Sequence, residues 1–323
     1  MSSTDSVQRV AIVGTGTIGA SWATHFLARG LDVVATDPVA GAEAATRRYV
    51  ESAWDSAAAI GLSEGASPDR LTFTPTMTEA VADADFVQEN APERLELKVK
   101  LFADIDAATR DDVIVASSSS GITMSQIQAE CQHPERTLIG HPFNPPHLIP
   151  LVEVVGGART APESVRDAIA FYASVGKRPI LLKKELPGHV ANRIQAALYR
   201  EVVYLVQQGV LDVEAADDAV SWGPGLRWGV MGPSLLWHLG GGEGGIQHFM
   251  DHLMEPMAAM WGTLGDPKLT PELKQTIVDG VLAEAAGRSI DELEQQRDAM
   301  LVGLQAVRAK YAGSDLGAAG HRA

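Results

Sequence analysis

Two residues in this chain stand out against their surroundings as groups that could move a proton. His141 lies in the run Gly140-His141-Pro142-Phe143-Asn144-Pro145, and Glu153 is the one charged residue of Leu151-Val152-Glu153-Val154-Val155. A histidine near neutrality is the natural base for an alcohol proton, and a nearby carboxylate can fix its tautomer and stabilise its charged form. A carboxylate among apolar neighbours must be paired if it is buried. Either residue alone fits a structural role as well. A third polar feature is the run Ser117-Ser118-Ser119-Ser120-Gly121, directly after the β-rich stretch Val113–Ala116. Polar residues at the carboxyl end of a parallel strand sit where such sheets bind ligands.

A second chemistry is written near the start. Val10-Ala11-Ile12-Val13 runs straight into Gly14-Thr15-Gly16-Thr17-Ile18-Gly19. In such a strand-turn-helix, the first glycine makes the tight turn and the second admits a pyrophosphate close to the backbone. The third lets helix and strand pack closely. The free N–H groups and positive dipole end of the helix, around Thr17 and Ile18, then face the phosphates. A glycine pattern of this kind is weak evidence by itself. Here it follows a strand, opens a helix, and is followed by a second strand ending at Asp37. That carboxylate is placed to accept hydrogen bonds from ribose hydroxyls and to repel a 2′-phosphate. No arginine follows it directly; Arg47 and Arg48 lie farther on. The expected cofactor is therefore NAD rather than NADP.

These groups need a scaffold, and the first half of the chain supplies one. Arg9–Val13, Asp32–Thr36, Phe86–Gln88, Val113–Ala116 and Leu138–Gly140 read as buried strands. Helical stretches such as Ile18–Arg29 and Arg94–Ala108 separate them. Strands alternating with helices imply parallel pairing and a doubly wound sheet, which Leu151–Val155 and Pro179–Leu182 would continue. After Leu186-Pro187-Gly188 the β-rich runs stop. Val190–Gln208, Pro271–Glu284 and Ile290–Arg308 carry apolar residues at helical spacing. The expected architecture is α/β: a Rossmann-type domain over 1–186, then an all-α domain over 187–323 for substrate binding and dimerisation.

With 323 residues the chain can bury two cores. Its net charge of −15, from 41 acidic and 26 basic residues, argues against nucleic acid or anionic membranes as partners. The polar segment Met1–Arg9 carries no secretory signal, and no run of about 18 apolar residues is present. The single cysteine, Cys131, cannot form an internal disulfide, in keeping with the cytoplasm.

Taken in order, these motifs resemble the 3-hydroxyacyl-CoA dehydrogenase superfamily. It shares the glycine fingerprint, the serine loop, an H-x-x-N-P motif, an L-V-E-V segment, and a G-x-x-x-N-R motif that Gly188-His189-Val190-Ala191-Asn192-Arg193 fits. The resemblance spans nearly the whole chain. It implies that His141 is the base and Glu153 its partner, that Ser120 and Asn192 contact the reacting oxygen or nearby substrate, and that Asn144 helps hold the site. Asn90 to Lys98 resembles the family stretch beside the nicotinamide, which puts Glu93 and Lys98 among the cofactor contacts. One departure is the serine loop: the family often reads S-N-T-S-S, so this loop lacks the usual asparagine.

Within the superfamily, the C-terminal half is most similar to the L-carnitine dehydrogenase branch, with lambda-crystallin and L-gulonate dehydrogenase as cousins. The segments that carry this are Gly223-Pro224-Gly225-Leu226-Arg227-Trp228, Met231-Gly232-Pro233, His238 to Gly245 and Ala286 to Ile290. The resemblance implies NAD-dependent oxidation of a small L-3-hydroxy acid, L-carnitine first. An L-3-hydroxyacyl-CoA or L-gulonate is the alternative substrate, and a crystallin-like NAD-binding structural protein is the non-enzymatic one. A CoA ester would need basic residues for its phosphates, and the stretch Arg47–Ser67 has no lysine.

Four of the six tryptophans, Trp222, Trp228, Trp237 and Trp261, crowd into the helical half. They suit helical core or a subunit interface. Trp222 and Trp228 equally suit an aromatic wall for a quaternary ammonium. Arg227 suits a substrate carboxylate or an ordinary salt bridge. His248 and His252 stand one helical turn apart but lack a convincing third ligand, so no metal is expected. Gly240–Gly245 reads as a turn between helices. The apolar helical domain points to a homodimer.

Overall fold

The computed structural model describes residues 7–312. The first six residues, part of the segment read above for a signal, and the last eleven of the second domain lie outside that range. By backbone contacts the chain divides into two units, Met1–Arg193 and Ile194–Ala323.

The first unit is built on one eight-stranded sheet. Its strands are β1 (Arg9–Val13), β2 (Asp32–Thr36), β3 (Leu71–Phe73), β4 (Phe86–Glu89), β5 (Ile114–Ser117), β6 (Thr137–Pro142), β7 (Leu151–Gly156) and β8 (Arg178–Leu181). Helices α1 (Thr17–Ala28), α2 (Ala42–Ile60), α3 (Met77–Val81), α4 (Leu95–Ala108), α5 (Met124–Ile127) and α6 (Pro162–Ser174) connect them, and α7 (Ala191–Gln207) follows. The order across the sheet is β3-β2-β1-β4-β5-β6-β7-β8.

Both faces are covered. Val10 and Ile12 of β1 join a core with Trp22, Phe26, Phe86, Phe171 and Tyr172. Ala11 and Val13, pointing the opposite way, join another with Val87, Phe102, Ile105 and Val115. This is why the strands read as continuous apolar runs rather than alternating ones. The chain leaves β1 for β2 on one side and returns to β4 on the other, opening a crevice beyond the carboxyl ends of β1 and β4 where such sheets bind ligands.

The doubly wound sheet agrees with the sequence expectation, with two differences. The short strand Leu71–Phe73 was not foreseen. It pairs with β2 over three residues only, too few for a periodic signal. The second difference matters more: β7 runs antiparallel to β6 rather than continuing the parallel set. The segment 143–150 between them is too short for a parallel crossover, which takes a dozen or more residues.

In the second unit no strand occurs among the described residues. Beyond α7 come helices Val213–Ser221, Pro224–Trp228, Pro233–Gly240, Gly245–His252, Met254–Trp261, Pro271–Ala285 and Ile290–Ala312. Three starts are capped by side chains: the Asp212 carboxylate accepts from Ala215 N–H at 2.9 Å, the Thr270 hydroxyl from Leu273 N–H at 3.2 Å and the Ser289 hydroxyl from Glu292 N–H at 3.2 Å. A small core of Val206, Val213 and Ala216, joined by Val202, Leu211 and Ile277, holds α7 and two of these helices together. Gly240–Gly245 does link two helices, through a single 3-10 turn over Gly242–Gly244. No described helix is long and apolar enough to cross a membrane.

Candidate active site

The antiparallel register builds the His141–Glu153 pair directly. His141 on β6 lies opposite Glu153 on β7, and a one-residue slip would send the two side chains to opposite faces. His141 Nδ1 is 2.9 Å from Glu153 Oε2. The other carboxylate oxygen, Oε1, accepts from Val190 N–H at 2.8 Å and from Ala191 N–H at 3.0 Å. Glu153 is completely buried. Burial alone would push its carboxyl up, but the His141 ring and the two backbone N–H groups outweigh burial and hold it below the ordinary carboxylate value. An ionised Glu153 only accepts, so Nδ1 of His141 carries a hydrogen and, in the neutral ring, Nε2 is a lone pair. That lone pair lies 3.2 Å from the Ser120 hydroxyl. A hydroxyl and an imidazole nitrogen thus face the same spot at the carboxyl ends of β5 and β6, an arrangement that can take a proton from an alcohol.

The serine loop is held from below by a residue the sequence reading placed beside the cofactor. Glu93 Oε1 accepts from the Ser119 hydroxyl at 2.6 Å, Gly121 N–H at 2.7 Å and Ile122 N–H at 3.0 Å. Burial works against its charge, yet these bonds and Lys98 bring its pKa below the ordinary value. Lys98 is buried. Its ammonium donates to both oxygens of Glu89, at 2.8 and 3.0 Å, and to the Ala91 carbonyl at 3.0 Å, with Glu93 Oε2 at 3.9 Å. Glu89 also accepts from Ser117 Oγ at 2.5 Å and Ala91 N–H at 2.6 Å. Lys98 therefore balances a buried carboxylate that the sequence reading did not single out.

Ser118 occupies the position of the absent asparagine and is fully engaged. Its hydroxyl accepts from Gln88 Nε2 at 2.9 Å and Trp22 Nε1 at 3.3 Å, and donates to Asn90 Oδ1 at 2.7 Å. Tyr172 completes the network by donating to Gln88 Oε1 at 2.6 Å. One hydroxyl with three partners keeps the loop in register without the asparagine.

At the glycine turn, Gly14 has φ +89°, and a β-carbon there would come within 2.9 Å of the Asn90 backbone. A β-carbon on Gly19 would lie 1.9 Å from the Gly14 carbonyl oxygen. Around Gly16 the space is open, with nothing within 4 Å of an added β-carbon. No side chain caps α1 at Gly16, and Thr17 is exposed. The free helix end with room before it fits a pyrophosphate. At the end of β2, the Asp37 carboxylate accepts from Thr15 N–H at 2.8 Å and Val39 N–H at 2.9 Å. The Thr15 hydroxyl lies 3.4 Å from the same oxygen as its N–H, and the half-buried carboxylate has lone pairs left for ribose hydroxyls. Arg47 is tied to Glu43 at 2.9 and 3.0 Å. The residues present thus fit NAD.

Ile18 is half-buried in the first turn of α1, Asn144 is exposed in the loop after β6, and Asn192 is half-buried in the first turn of α7, next to the Ala191 N–H that Glu153 holds. In the second unit Arg227, Trp222 and Trp228 are all exposed. The rings of His248 and His252 are 4.6 Å apart. Sequence reasoning missed Glu89, Gln88, Tyr172 and His189, all buried. The one visible signal was that Gln88 and Glu89 are polar residues at the end of an apolar strand.

The sequence profile of the 3-hydroxyacyl-CoA dehydrogenase NAD binding domain matches residues 9–186, and that of the C-terminal domain of the same family matches residues 188–280. An L-carnitine dehydrogenase of Streptomyces griseus is 51% identical over 294 residues, covering 91% of this chain and 88% of that protein. One of Bacillus cereus is 45% identical over 307 residues, covering 95% and 94%. Among solved structures, 5-formyl-3-hydroxy-2-methylpyridine 4-carboxylic acid 5-dehydrogenase, an NAD⁺-dependent dismutase, superposes with a TM-score of 0.81 at 32% identity, covering 94% of this chain and 99% of that one. This chain belongs to the 3-hydroxyacyl-CoA dehydrogenase family and is an NAD-dependent oxidoreductase.

Proposed function

We propose that this protein oxidises L-carnitine to 3-dehydrocarnitine, with His141 taking the proton of the 3-hydroxyl. The observation that carries the substrate is the near-full-length identity, about one residue in two, to proteins named L-carnitine dehydrogenase. NAD⁺, when bound, supplies the acceptor for the hydride that leaves the alcohol carbon. The turn Gly14–Gly19, with Thr17 and Ile18 at the helix end, would hold its pyrophosphate, and Asp37 its adenosine ribose. Glu93 and Lys98 would act on the nicotinamide side through the loop they brace.

Ser120 and His141 Nε2 would share the substrate hydroxyl, with Asn192 and Asn144 fixing the substrate beside them. As the C–H bond breaks, the O–H proton passes to Nε2. The imidazolium that forms is stabilised by Glu153, whose carboxylate is already ionised.

Carnitine presents a carboxylate and a trimethylammonium. Arg227 suits the first by bidentate pairing. The second has no N–H to donate, so aromatic faces must recognise it, and Trp222 and Trp228 flank Arg227 in sequence. We assign residues 187–323 to substrate binding and homodimer formation. Large apolar side chains exposed in the single chain, among them Leu235, Leu239, Leu282 and Ile290, support the dimer. The buried Cys131 thiol, pushed up to about 12 by burial and Asp106, suits a cytoplasmic protein without disulfides.

The test is NADH formation with L-carnitine, L-gulonate and 3-hydroxybutyryl-CoA. Carnitine should give the highest kcat/KM. Faster turnover of either other compound would reassign the substrate, and no turnover of any would favour a structural NAD-binding protein.

A further inference from the structure

Beside the His141 imidazole lies a second histidine. His189 is 2% exposed, and its ring centroid is 4.8 Å from that of His141, with the planes inclined at 43°. Its Nε2 is 2.9 Å from the Ser119 carbonyl oxygen. A carbonyl only accepts, so Nε2 carries the hydrogen. Nδ1 is buried without a hydrogen-bond partner, which suits a bare lone pair better than an orphaned N–H.

The backbone of His189 has φ +47°. That left-handed conformation disfavours any residue with a β-carbon and persists only where the surroundings enforce it. The enforcing contacts reach every part of the reacting pair. Gly188 N–H donates to the Ser120 carbonyl at 3.1 Å. Val190 and Ala191 donate to Glu153 at 2.8 and 3.0 Å. Asn192 follows immediately in α7. Four consecutive residues thus touch the serine loop, the His141 ring and Glu153.

We propose that His189 is a positioning residue for the oxidation, its neutral ring locking the serine loop to His141 and to the turn that carries Asn192. Four groups face it: the Ser119 carbonyl, His141, Glu153 and Glu93. Burial lowers its pKa first and His141 lowers it further, against the raising effects of Ser119, Glu153 and Glu93. When His141 takes up the alcohol proton, its neighbour 4.8 Å away is then uncharged and does not oppose the transfer.

The inference rests on the reading of His141 and Ser120 as the reacting pair. It is tested by His189→Phe, which keeps a ring against His141 but loses the donor, and His189→Gln, whose amide nitrogen reaches about as far as Nε2. Kinetics use whichever 3-hydroxy compound the protein oxidises best, with thermal melting to count folded molecules. His189→Phe should lose about 10- to 100-fold in kcat, the scale of a reacting group displaced by about 1 Å, with KM for NAD⁺ moving less than about 3-fold. His189→Gln should return to within about 5-fold of the unaltered protein, because the bond to Ser119 is restored. An unchanged kcat in His189→Phe, or a His189→Gln no better than it, overturns the proposal. If the Phe variant does not fold, Asn, which is too short to reach Ser119, takes its place against Gln, and equal rates for those two overturn the proposal. His141→Gln separates the two levels. If that variant is active, the reading of the pair fails. If it is inactive while His189→Phe is fully active, only this inference fails.

Discussion

Replacing Glu153 by Gln changes one heavy atom and should disable the base proposed at His141. In the folded protein one carboxylate oxygen faces His141 Nδ1 at 2.9 Å, and the other faces two backbone N–H groups at 2.8 and 3.0 Å. A glutamine must turn its single oxygen one way. Toward His141, its NH₂ group would meet the N–H groups of Val190 and Ala191, leaving two buried donors facing a third. Each such unsatisfied group costs about 1–3 kcal/mol. Toward the backbone, both donors are satisfied and the NH₂ donates to Nδ1 instead. The second arrangement wins, and it moves the His141 hydrogen to Nε2, the atom that takes the substrate proton in the proposed reaction. General-base catalysis is worth about 10²- to 10⁴-fold, and a wrong histidine tautomer in hydrolases costs about 10⁴. Glu153→Gln should therefore lower kcat by about 10²- to 10⁴-fold, with KM for NAD⁺ within about 2-fold and the melting temperature nearly unchanged. The assay is steady-state NADH formation from L-carnitine, beside a melting curve. A kcat within about 3-fold of the unaltered protein would refute the tautomer argument.

Other perturbations separate cofactor, substrate and stability. Asp37→Ala removes a carboxylate placed for ribose hydroxyls; KM for NAD⁺ should rise about 10- to 100-fold, the worth of a charge-assisted bond, and the preference over NADP⁺ should narrow, as initial rates with both cofactors would show. Alanine at Trp222 or Trp228 should raise KM for carnitine about two- to thirty-fold without altering KM for NAD⁺, and a tert-butyl analogue turned over as well as carnitine would remove the cation–π contribution. Asp106 lies away from these groups, buried with Arg136 at 2.7 Å and accepting from Gln132 and His133 N–H at 2.6 and 2.9 Å. Asp106→Asn should cost about 3–5 kcal/mol in urea unfolding while leaving kcat intact. Asp106, Glu93 and Glu153 all have carboxyl pKa values lowered in the folded protein. Their contribution is full above about pH 4 and is lost as pH falls through the lowered folded values, so the melting temperature should drop there, and less steeply in Asp106→Asn.

What the sequence revealed and what it hid divide along the range of the interactions. The glycine turn, its strand and Asp37 are local, because consecutive residues dictate a strand-turn-helix, and the fold follows them. His141 and Glu153 were legible because each is polar where its neighbours are not. Their opposition across β6 and β7 was not, since only the antiparallel register creates it. The short connection 143–150 held that information, and it was outweighed by the parallel pattern of the earlier strands. Lys98 is a basic residue at the position usual in the family, but its ion pair with Glu89 bridges a helix and a strand. His189 carried no visible signal: a histidine after a glycine says nothing of a positive φ or of a ring tilted against that of His141.

The most direct test of the account follows the hydride itself. L-carnitine deuterated at the alcohol carbon is incubated with NAD⁺, and the NADH is weighed by mass spectrometry, with the unaltered protein and with His141→Gln. The account predicts one deuterium atom in each NADH formed by the unaltered protein, and almost no NADH from the variant. Unlabelled NADH would show that the hydride comes from elsewhere, and labelled NADH formed at full rate by His141→Gln would remove His141 from the reaction.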